Sequence, residues 1–196
     1  MVYDGIIIGI VVGLFRGGWQ LEGLRRLGQL RLKAGWVFPL LLLVQLVIFY
    51  LQGKSTLLAS MNGILFMAVY VTGMLFLWLN RHHPGFTLIL IGVLLNFLVM
   101  ALNGGRMPVS LTASTVLGPY YMELLSSGEV ISKHVMMDTS TRLPFLGDII
   151  PLSSPYPRTQ VISIGDVIMN LGIFFLIQHL MVPKKKGYSS ANPHHA

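Results

Sequence analysis

The chain contains no cysteine. That excludes disulfides, thiolate metal sites, a cysteine nucleophile and a lipid-modified cysteine. Charge is nearly as scarce, at 11% of 196 residues against about 25% in soluble domains. It vanishes from residues 34–53 and 55–80, and from 84–105, where only apolar and neutral polar side chains occur. There is no nucleotide-binding Gly-rich loop, haem motif or Cys/His cluster, so neither cofactor nor metal is expected.

What remains is apolar. The hydrophobic fraction is 54% and the mean hydropathy is +0.70. A helix rises about 1.5 Å per residue, so about 20 apolar residues cross a bilayer core of about 30 Å. Three such runs do not fit inside the core of a soluble domain this small. The expected fold is therefore all-α and polytopic. Spans are expected at about 2–18, 35–53, 57–80, 85–103 and 161–182, or four if the first does not cross. Residues 1–183 would form a single membrane domain, and 184–196 a basic, then disordered, tail.

The first segment carries Asp4 and lacks a basic region before its apolar core, so it reads as a retained helix rather than a signal peptide. Gly5, Gly9 and Gly13 repeat every four residues on one of its faces. Such a face lets a second helix approach closely, within the bundle or from a second copy or another membrane protein. Residues 19–33 place Trp19, Leu21, Leu24, Leu27 and Leu30 opposite Glu22, Arg25, Arg26, Gln29 and Lys33. With Arg31, this pattern predicts a basic amphipathic helix lying on anionic lipid headgroups.

The net charge of +7 sits at the edges of the apolar runs, which points to a membrane surface rather than nucleic acid. With five spans and the N-terminus outside, one side holds Arg16, Arg25, Arg26, Arg31, Lys33, Arg81, Lys184, Lys185 and Lys186, nine of the fourteen Lys and Arg. The positive-inside rule then puts the C-terminus in the cytoplasm. Residues 104–160 fall on the outer face as a loop with six of the ten prolines, with a short helix expected near 118–132.

Polar residues within spans face the bundle rather than lipid. Asn96 and Asn103 are seven apart on one face; Ser163, Asp166 and Asn170 are spaced three and four on another. Together with Arg106 they predict an outward-facing polar pocket or ion pair, with Asp148 as a second acid and Arg106 as the partner of either. Ser163-x-x-Asp166 also has the spacing of a capping box. Asn103-Gly-Gly-Arg-Met-Pro108 ends the fourth span, with glycines for left-handed backbone and a proline that stops the helix.

The runs LLNFLVMALNGGRMPVS, TRLPFLGDIIPL and VISIGDVIMNLG resemble a family of small bacterial multi-pass membrane proteins of unknown function. The resemblance implies the bacterial inner (plasma) membrane and carries no activity. Asp166, six residues before Gly172, and the preceding acid Asp148 resemble the two catalytic aspartates of lipoprotein signal peptidases. Thr141-Arg142 stands where that family has Asp-Arg, and Asn103-Gly104 comes late for its Asn-Gly loop. Three functions follow in order: a binding, scaffold or assembly subunit; a small carrier or ion-handling protein using Asp166; and an aspartate-based membrane hydrolase using Asp148 and Asp166.

Overall fold

The computed structural model describes residues 2–17, 22–51, 56–126 and 133–182. In chain order the elements are α1 (Val2–Gly17), α2 (Glu22–Gly28), α3 (Val37–Leu51), α4 (Thr56–Leu79) and α5 (Phe86–Leu102). Then come β1 (Met107–Val109), α6 (Leu111–Ser114), α7 (Pro119–Ser126), β2 (His134–Met136), β3 (Ile150–Leu152), β4 (Gln160–Ile162) and α8 (Ile164–Met181). All five apolar stretches are thus helical. Among them α8, with 18 residues, is long and apolar enough to cross a membrane; Val37–Ile48, Gly63–Leu79 and Phe86–Leu102 are shorter apolar stretches.

Glycines set how closely the helices approach. Gly85 and Gly92 on one side of the α5 crossing face Gly172 and Gly165 of α8, so the two helices run antiparallel nearly backbone to backbone. On the opposite side of α8, Gly5, Gly9 and Gly13 of α1 lie against Asn170, Ile177 and Met181, in parallel orientation. The glycine face of α1 is therefore occupied within the chain rather than offered to a second copy. A separate apolar cluster of Ile48, Phe66, Val99, Met100, Met107 and Leu146 joins α3, α4 and α5 to the loop after α5.

The fold departs from all-α in that loop. β1 pairs in parallel with β2, Val109 bridges to Asp148, and β3 pairs antiparallel with β4. Prolines 108, 144, 151, 155 and 157 prevent continuous helix, and the backbone donors and acceptors are satisfied by short extended pairings instead. The helix expected near 118–132 is α7, and residues 127–132 lie outside the described residues.

The amphipathic helix is also shorter than expected. α2 ends at Gly28, and residues 29–36 leave the helix; Trp19, Leu21 and the tail 184–196 lie outside the described residues. Its buried Gly23 seats on Met181 at the end of α8. The chain is then captured by Asn80, whose Oδ1 accepts from Lys33 N at 2.8 Å and whose Nδ2 donates to Lys33 O at 3.0 Å.

Two ends of the bundle result. At one, Asp4 of α1 meets Arg158 of the loop at 3.1 Å. At the other, Arg16 donates to Gln178 Oε1 at 3.1 Å, and α2, Lys33 and Arg81 gather around the ends of α4 and α8.

Candidate functional site: a loop-covered cavity beside two aspartates

The start of α8 is locally encoded. Ser163 Oγ accepts from Asp166 N at 3.0 Å, and Asp166 Oδ2 accepts from Ser163 N at 3.0 Å, a complete capping box. Asn96 of α5 closes the ring. Its Nδ2 donates to Asp166 Oδ1 at 2.9 Å, and its Oδ1 accepts from Ser163 Oγ at 2.8 Å. Ser163 is fully buried and Asn96 nearly so, while Asp166 is half-buried, so the ring fixes α5 against α8 with one edge toward the loop. Asn170 completes the strip: its Nδ2 donates to Asp166 O at 2.9 Å, and its Oδ1 accepts from Gly5 N of α1 at 3.0 Å.

Asn103 does not join that ring. Its Oδ1 accepts from Arg142 N at 2.9 Å while its Nδ2 donates to Arg142 O at 2.8 Å and Val99 O at 2.7 Å, pinning the loop to the end of α5. Gly104 and Gly105 take positive φ, 69° and 77°, as a turn of this kind requires. Arg106 pairs with neither acid: among the described residues Asp148 meets His134, and Asp166 meets Asn96 and Ser163. The reason is that Met107, the next residue, is drawn into β1 by donating its N–H to Lys133 O at 2.8 Å, and the ladder decides where Arg106 lies.

Asp148 is placed by backbone. Its N–H donates to Pro108 O at 2.8 Å, and its C=O accepts from Ser110 N at 2.9 Å, stitching it beside β1. On the other side of β1, β2 carries His134, whose Nε2 lies 3.4 Å from Asp148 Oδ2. The Asp148 side chain is only 7% exposed. Its Oδ1 is buried without a hydrogen-bond partner among the described residues. Burial pushes the Asp148 carboxyl above its ordinary range; the bond to His134 opposes this and the charge of Asp166 adds to it.

Asp148 and Asp166 both line a cavity of about 610 Å³ between the loop and the bundle, together with Tyr70, Lys133, His134 and Gln160. Of the residues singled out in the sequence, the structure brings these two acids to one space. Asn96 and Ser163 support Asp166 from behind; Asn103, Arg106 and Asn170 are not on the cavity wall. Lys133, His134 and Tyr70 were missed. The available signal was weak: a polar pair, Lys133-His134, opening the short apolar run Val135-Met136-Met137 inside the loop.

Residues 29–178, most of the chain and everything from the end of α2 to near the end of α8, match the model of a family of unknown function, DUF5317. The chain belongs to that family. It is also similar to an uncharacterized protein of Thermotoga maritima, 34% identical over 119 residues. That match covers 61% of this chain and 64% of the relative's length. No solved structure matches the chain. The family region contains Asp148, Asp166, Asn96 and His134 and leaves out α1.

Proposed function

We propose that this DUF5317 chain is a five-span inner-membrane protein that binds a small polar ligand in the cavity beneath its outer-face loop. The observation carrying the binding reading is Asp148 Oδ1, a buried acceptor without a partner among the described residues, on the wall of a roomy cavity. An acceptor left so costs about 1–3 kcal/mol. A ligand bearing an amine or hydroxyl recovers it, and the volume lies in the range of small-molecule sites, about 300–1,000 Å³.

Membrane residence is supported by the outer faces of the helices. Ile7, Phe38, Leu43, Ile64 and Leu75 are each more than half exposed. Only 28% of α8 is buried, against the mostly buried core helix of a soluble domain. The N-out, C-in orientation draws support from the two ends. The start of α1 and the loop share one end; Arg16, Arg25, Arg26, Lys33 and Arg81 gather at the other.

Two acids on one wall favour a second reading, aspartate-based hydrolysis. Against it, both oxygens of Asp166 already accept hydrogen bonds that hold α8 in place. The binding reading is tested by thermal unfolding of the full chain in lipid nanodiscs with a panel of small primary amines and polyols. A rise in Tm for wild type that Asp148→Asn abolishes supports it; no rise with any compound, or equal rises in both proteins, removes it. Hydrolysis instead predicts that Asp166→Asn keeps the fold and loses turnover of a lipopeptide. For topology, a Thr139→Cys label reacting only from the cytoplasmic side refutes the orientation.

A further inference from the structure

The turn between α4 and α5 reads Asn80-Arg81-His82-His83-Pro84. Asn80 is fully buried, and besides its two bonds to Lys33 it donates from Nδ2 to Phe76 O at 2.9 Å. It holds Lys33 as a neighbouring strand would, although the two are 47 residues apart. Arg81 is also pre-set: Nη1 donates to Trp78 O at 3.1 Å, and the guanidinium stacks 3.9 Å from the Trp78 ring centroid. Stacking fixes the plane of the fork and leaves its remaining donors open. The His82 ring lies 4.2 Å from that of His83.

Lys33, Arg81 and His82 line a shallow cavity of about 490 Å³ with Thr87, in the first turn of α5, and Leu79. No acid lines it. The chain has seven acids, and Glu22, the one on this side in sequence, is paired with Arg26 at 3.7 Å. Three cationic or protonatable side chains therefore converge with no carboxylate between them. Desolvation lowers the His82 pKa, and the neighbouring His83, Lys33 and Arg81 lower it further.

We propose that Lys33, Arg81, His82 and Thr87 form a discrete binding site for a phosphate group at the basic end of the bundle. An ammonium, a stacked guanidinium fork, an imidazole N–H and a hydroxyl match the several acceptor oxygens of a tetrahedral anion. The phosphate comes either from a phospholipid headgroup, whose glycerol would lie along Leu79, or from a soluble phosphate ester. The site is separate from the aspartate cavity and stands whether or not that cavity binds anything.

The test uses the full chain, delipidated in a neutral maltoside detergent, with two probes: phosphatidylglycerol, read by native mass spectrometry, and inorganic phosphate, read by calorimetry. Wild type should retain about one tightly held phosphatidylglycerol. The double substitution Lys33→Gln, Arg81→Gln should weaken binding about tenfold or more. Removing the same charge from α2 with Arg25→Gln, Arg26→Gln should change it less than about twofold. Displacement of the lipid by millimolar inorganic phosphate assigns the site to free phosphate; retention assigns it to the headgroup. Equal weakening by both double substitutions, or no saturable binding of either probe, overturns the proposal. If circular dichroism shows that the first double variant does not fold, His82→Gln with Thr87→Val is held to the same criteria.

Discussion

Replacing Gly92 by alanine should destabilise the chain even though alanine is the better helix former. A Cβ built on Gly92 would lie 2.8 Å from Met169 N and 3.0 Å from Met169 Cβ, and closer still to Gly165 O. The first and last of these are backbone atoms of α8 and cannot rotate away. The helices must separate, or α8 must shift along α5. Overpacking of this kind costs about 1–3 kcal/mol, against about 0.5–1 kcal/mol gained by removing a helical glycine.

Gly73 on α4 supplies the control. Among the described residues, a Cβ there would meet only Leu41 Cδ1, at 3.8 Å, an ordinary contact. Gly73→Ala should therefore stabilise by about 0.5–1 kcal/mol, leaving the two variants about 2 kcal/mol apart. Equilibrium unfolding in mixed dodecyl sulfate micelles, followed by far-ultraviolet circular dichroism, measures the difference. Separation at Gly92 also pulls Asn96, one turn on, away from Asp166 and Ser163, so ligand-induced stabilisation should fall in Gly92→Ala and not in Gly73→Ala. If Gly92→Ala proves as stable as Gly73→Ala, the close α5–α8 crossing is wrong.

Asn80→Ala removes three hydrogen bonds of a fully buried side chain and should cost about 2–4 kcal/mol in the same unfolding assay; a loss below about 0.5 kcal/mol would contradict the clamp on Lys33. Ser163→Ala removes the cap of α8 and the donor to Asn96 Oδ1, and should cost about 1–2 kcal/mol, whereas Ser163→Thr should recover most of it; equal losses would deny the capping role. Burial raises the Asp148 pKa, so the folded chain binds that proton more tightly than the unfolded chain. Its contribution to stability is complete below the unfolded pKa of about 3.9 and is lost as pH rises through the folded value. Asp148→Asn should flatten the fall in Tm above pH 4, and an unchanged slope would show that other groups cause it.

The helices were legible because apolar runs and charge exclusion are one-dimensional properties. All five apolar stretches are helical, three of them free of charge, whereas α1 carries Asp4 and Arg16 at its ends and α8 carries Asp166 in its first turn. The capping box at Ser163 and the glycine turn at 104–105 were legible for the same reason: both are closed by residues within a few positions of one another. The azimuth of each helix was not. Gly85 and Gly92 repeat at the same interval as Gly165 and Gly172, but nothing local says that these two rows meet. Asn80 and Lys33 are likewise 47 residues apart, joined only once α4 has turned the chain back.

The Arg106 expectation failed on the same distinction. Depth along the bundle axis put Arg106 level with two acids, but an ion pair needs direction as well as level, and the β1 ladder decided direction. The polar strips divided: Asp166 lines the cavity, and the others do not. Asn96, Ser163, Asp166 and Asn170 were read as the wall of a pocket because neutral polar groups in apolar helices must turn inward. They do, but each then finds a partner on α1, α5 or α8, since a buried group left unpaired is costly. A helix packed this closely consumes its own polar residues. Among the described residues, Asp148 Oδ1 is a buried acceptor left over: its backbone is committed beside the β1 strand and its side chain lines the cavity.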